Sequence, residues 1–113
     1  MDSLCSISIV ELGGAFVRKR RTIESDDDRT RNILRWFEKE GSWENVERVV
    51  NHVHIYDEFE DLTKESYEEV ASKIFHCWKA ALTKIDTAFQ VEKFEDYGPT
   101  VTFYKKRAVQ GLI

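Results

Sequence analysis

The chain has 113 residues, 42% of them hydrophobic, with seven Phe, four Tyr, three Trp, one Pro, five Gly and a net charge of −4. This length and apolar content support a core without metal or disulfide staples and exclude a disordered or low-complexity chain. No apolar run approaches the roughly 18 residues of a membrane helix, and the acidic balance argues against nucleic acid as the main partner.

Residues 4–12 alternate apolar and small polar side chains with period two, the pattern of a half-buried strand. Gly13 and Gly14 suit a two-residue hairpin turn, with residues 15–23 as the return strand. Its basic run of Arg18, Lys19, Arg20 and Arg21 reads as edge protection. Ser25 followed by Asp26, Asp27 and Asp28 opens a helix, because Ser caps and carboxylates favour the positive end of the dipole. Ile33, Leu34, Trp36 and Phe37 form its apolar stripe, and Gly41 closes it.

Residues 48–56 are predicted as a strand on their β-branched content and alternation, although Trp43, Val46, Val49 and Val50 also fit helical spacing. A long helix is predicted over residues 64–85, where Tyr67, Val70, Ala71, Ile74, Phe75, Trp78, Ala81, Leu82 and Ile85 recur at three- and four-residue steps. Residues 89–94 and 100–105 alternate on either side of a Gly-Pro turn and complete the chain as two strands, and residues 108–113 form a loose tail.

The predicted fold is a single α+β domain over residues 1–113, a two-layer α/β sandwich of order ββαβαββ. A mixed sheet of about five strands carries both helices on one face. Strict alternation then buries Cys5, Ile7, Ile9, Val49, Val53, Ile55, Phe89, Val91, Val101 and Phe103 beneath the helices. The other face receives Ser6, Ser8, His52, His54, Tyr56, Gln90, Glu92, Thr102 and Tyr104. Of these, His52, His54, Tyr56, Gln90, Glu92, Thr102 and Tyr104 are the candidate partner-binding residues, because Tyr and His offer contact area at low entropic cost. The plainer reading is an ordinary wet sheet face.

His52 and His54 on one strand would stand about 6.6 Å apart along the backbone, on the same side. With Asp57 and Glu58 they form a candidate site for zinc or another divalent transition metal, set against the plainer reading of two surface histidines. No other cofactor is expected, and no nucleophile elbow, phosphate-cradling loop or dinucleotide fingerprint is present. The first 14 residues show no basic leader before an apolar run, so a cytoplasmic protein with Cys5 and Cys77 reduced is expected.

Charge is uneven along the chain, +1 over residues 1–35, −8 over 36–70 and +3 over 71–113. The acidic middle suits a basic protein partner. The leading expectation is therefore a small non-catalytic binding or regulatory protein acting through protein–protein contact, on a partner or on itself as a homodimer through the open sheet face. An inhibitor or immunity-type protein against a basic toxin or nuclease has this size and charge. The alternatives are a metal-dependent enzyme centred on His52 and His54, and an RNA- or DNA-binding accessory domain using Arg18 to Arg21, Arg29, Arg31 and Arg35, with Tyr56 and Tyr104 stacking bases.

Overall fold

The computed structural model describes residues 5–19 and 25–107. The predicted tail, Arg20 and Arg21 of the basic run, and the end of the return strand lie outside them. Strands β1 (Ile9–Leu12) and β2 (Ala15–Arg18) pair antiparallel, with Val10 opposite Val17 and Leu12 opposite Ala15. Gly13 and Gly14 turn between them at φ 62° and 108°, a region that costs residues with a Cβ. A Cβ on Gly14 would also stand 2.8 Å from the Trp43 ring, so glycine is needed there for space as well.

Helix α1 (Asp26–Glu40) forms as the sequence predicts. Ser25 Oγ accepts the Asp28 N–H at 3.1 Å, and Gly41, at φ 77°, donates its N–H to the Phe37 carbonyl. Directly after it, Ser42 caps a second helix, α2 (Trp43–Val50), by accepting the Asn45 N–H at 3.1 Å. The predicted strand over residues 48–56 is thus corrected: only β3 (Val53–His54) is extended, and one helical turn, α3 (Ile55–Glu58), follows it. The helical option wins because Val46 becomes fully buried and Trp43 stacks on Phe37 with ring centroids 4.3 Å apart.

Helix α4 (Lys64–Ile85) is capped by Thr63, and β4 (Phe89–Glu95) and β5 (Pro99–Lys105) form a hairpin in which Val91 faces Phe103. The predicted single mixed sheet is corrected as well. The strands form two antiparallel sheets, β1–β2 and β3–β5–β4.

Two cores explain this arrangement. Ala71, Ile74, Trp78 and Leu82 of α4 pack on Val53, Ile55, Phe89, Val101 and Phe103, with Ile7, Ile9 and Phe16 against them. Ile33 of α1 and Val46 of α2 pack on Leu12, Ala15 and Val17 in the second core. The β1–β2 hairpin therefore feeds alternate residues into both cores. Helices lie on both sides of β5, since its Val101 and Phe103 face α4 while Thr102 donates its hydroxyl to the Arg48 carbonyl of α2 at 2.8 Å. The expected open second face is corrected by α2, a helix additional to the two expected, which covers it.

Polar side chains of α2 and of its C-cap, Asn51, join the two sheets. Glu47, 0% exposed, accepts the N–H of Phe16 on β2 at 2.6 Å and the N–H of Lys105 on β5 at 2.7 Å. One turn later, Asn51 accepts the Arg18 N–H at 3.0 Å and donates to the carbonyls of Phe16 and Phe103 at 3.0 and 3.2 Å. Arg107 grips the Glu47 carboxylate through both terminal nitrogens at 3.0 and 2.6 Å. Backbone groups that would be costly to bury unpaired are satisfied by side chains from a helix.

A disulfide joins Cys5 to Cys77. This corrects the expectation of two reduced thiols: Cys5, before β1, and Cys77, on α4, have their Cα atoms 5.2 Å apart.

Candidate protein-contact surface

The seven residues expected to share an open sheet face separate into two groups. Gln90, Glu92, Thr102 and Tyr104 do share a face of β4 and β5, as alternation requires. That face is not open, because α2 lies across it: Thr102 is buried, and Arg48 stands 4.0 Å above the Tyr104 ring while its Nε bonds Glu92 at 3.3 Å. Partial burial opposes the Arg48 charge, but Glu92 and Tyr104 more than offset it, so the guanidinium pKa lies above its ordinary value. Gln90 remains exposed.

The other three residues collect around the turn between β4 and β5. His54 pairs in register with Thr100, which pairs with Phe94, so these side chains form one row across the sheet. His54 Nδ1 lies 3.1 Å from Thr100 Oγ1, and its Nε2 lies 3.9 Å from an Asp96 carboxylate oxygen. His52 packs edge-on against His54 with centroids 4.7 Å apart, and its Nδ1 bonds the Val49 carbonyl. On α3, Tyr56 lies against the turn so closely that a Cβ on Gly98 would stand 2.6 Å from its ring. Its other neighbour is Tyr67, with ring centroids 4.6 Å apart.

This arrangement does not gather the expected metal ligands. The chain turns helical at Ile55, which carries Asp57 and Glu58 off the line of the histidines, and among the described residues no three His, Cys, Asp or Glu side chains assemble around a possible metal position. Nor is Thr100 poised as a nucleophile. Its hydroxyl is buried and directed to the carbonyls of Asp96 and Gly98, at 3.0 and 3.1 Å, where it clasps the turn. The nucleic-acid expectation loses three of its named residues to structural roles. Arg29 is buried and donates to the Arg18 carbonyl, Tyr56 is folded onto Gly98, and Tyr104 lies under Arg48.

Sequence reasoning missed Tyr97, Phe94 and Asp96. Tyr97 sits in the turn at φ 54° and is 88% exposed, and Phe94 is also an exposed apolar side chain. A bulky residue in the left-handed region is uncommon and costs free energy. Glu95 and Asp96 precede Tyr97 in the chain with exposed side chains, and Asp57 and Glu58 are exposed on α3, which packs against the turn through Tyr56 and Gly98. The signal lay in the tripeptide Tyr97-Gly98-Pro99, since an aromatic inside a tight turn has nothing to pack against.

Compared with known proteins, the chain matches no family model, no curated protein and no solved structure. What defines it is a mixed α+β architecture with two small antiparallel sheets, and no helix among the described residues is long and apolar enough to cross a membrane.

Proposed function

We propose that this chain is a non-catalytic binding or regulatory protein that works through protein–protein contact at the tip of the β4–β5 hairpin. The observation that carries this reading is Tyr97, an aromatic held almost wholly in solvent in a strained backbone conformation and preceded by the exposed carboxylates of Glu95 and Asp96. Tyrosine supplies large contact area with few torsions to freeze, so it anchors interfaces efficiently. The carboxylates choose the partner's sign: a basic surface, drawn in by long-range attraction. An inhibitor or immunity-type role against a basic protein belongs to this class.

The test compares what wild type and Tyr97→Asn retain when each is immobilised and exposed to extract from its own cells. Asn tolerates the left-handed backbone, so the variant keeps the turn. Proteins held by wild type and released from the variant support the reading; identical retention by both removes it.

The expected cytoplasmic setting stands against the disulfide, because cytoplasmic thiol pools keep such bonds reduced. Counting free thiols in protein alkylated at the moment of lysis decides between the two compartments.

A further inference from the structure

On α1, far along the chain from the hairpin tip, Asn32, Arg35, Trp36 and Lys39 line a recess of about 200 Å³. Their spacing places them on one face of the helix, beside the buried stripe of Arg29 and Ile33. Trp36 packs in part against the second core and leaves the rest of its ring accessible, with the Lys39 ammonium 5.0 Å from the centroid, and Arg35 and Lys39 are exposed. Arg31, one turn before Arg35, is already engaged with Asp28. The recess therefore presents an aromatic floor, two cations and an amide.

That chemistry is the complement of the tip. Tyr97 projects one ring, and Glu95 and Asp96 stand beside it with exposed carboxylates. We infer that the α1 recess of one copy receives the Tyr97 tip of a second copy of this chain, ring against Trp36 and carboxylates against Arg35 and Lys39. The inference rests on the tip being the contact surface and names its partner. Two different surfaces meet in this contact, so it is heterologous, and repetition builds open chains unless the rotation closes a ring.

Sedimentation of the full chain tests it. In about 0.05 M salt, wild type gives a mass that rises with concentration beyond that of the 13.3 kDa monomer, and in about 1 M salt, where screening shortens to about 3 Å, it returns to monomer. Arg35→Glu with Lys39→Glu abolishes assembly, as does Tyr97→Asn, while both variants keep the wild-type melting profile. Each variant retains one intact surface, so mixing the two restores a complex that stops at one of each. A wild type that stays monomeric in low salt overturns the inference, as does assembly that survives both variants. A monomeric wild type whose extract partners still require Tyr97 rejects self-docking while leaving the contact surface in place.

Discussion

Glu47→Gln is the sharpest test of how the two halves are joined. The carboxylate accepts from four donors: the N–H groups of Phe16 and Lys105, and two nitrogens of Arg107. An amide keeps one oxygen and replaces the other with a donor group. Whichever way it turns, two of these donors then face another donor. Each lost charge-assisted bond is worth about 1.5–3 kcal/mol, and Arg107 is left without its counter-charge. Arg107 is 25% exposed and recovers some hydration, so the total falls in the range of about 3–5 kcal/mol expected for breaking a buried pair from one side. Against a typical stability of about 5–15 kcal/mol this is a large fraction. At about 4 °C per kcal/mol for a chain of this size, the midpoint drops by about 12–20 °C. Urea unfolding followed through tryptophan fluorescence measures the loss. Glu44→Gln, which removes charge from a half-buried carboxylate that accepts, among the described residues, the Arg107 N–H at 3.1 Å, serves as the control and costs about 1 kcal/mol or less. A Glu47→Gln loss no larger than the control's would refute the bridging role.

Further outcomes follow from other contacts. Gly98→Ala meets both a left-handed backbone at φ 96° and the Tyr56 ring, so it destabilises by about 1–3 kcal/mol in the same urea assay. Reducing the Cys5–Cys77 disulfide, or replacing Cys77 with Ser, frees a closed loop spanning 72 residues and lowers stability by up to about 4 kcal/mol; an unchanged urea midpoint in reductant argues that the bond is not formed. The Asp86 carboxyl is held below its ordinary value of 3.8, first by the Ala88 N–H and then by Lys105. Its folded pKa is depressed, so its stabilisation is present above the unfolded value and fades as pH falls through the folded one. The stability gap between wild type and Asp86→Asn should therefore be open at neutral pH and close in acid; a gap independent of pH would contradict this.

Local signals carried the elements, and non-local ones decided how they assemble. The stripe from Tyr67 to Ile85 and the Ser25 and Gly41 caps identified two helices because each signal lies within a few residues of its effect. For α2 the cap at Ser42 was equally local, but the valines around residue 49 favoured a strand reading until burial of Val46 decided for the helix. The division into two sheets was not legible, since Glu47 and Asn51 find their strand partners 31 to 58 positions away. Parity correctly placed Val101 and Phe103 under the long helix and Thr102 on the opposite side. It said nothing of turn residues, so Tyr97 escaped notice. The disulfide was hidden for a simpler reason: 72 positions of separation carry no information about pairing.

Having side chains from α2 fill the gap between β2 and β5 has a dynamic consequence. The amides of Phe16, Arg18 and Lys105 have acceptors on α2 and its C-cap, and none of these acceptors is a neighbouring strand. Their exchange with solvent deuterium is governed by how often that helix lifts away, so both hairpins surrender protection together in one event. A short helix of eight residues thereby acts as the molecule's common hinge-pin.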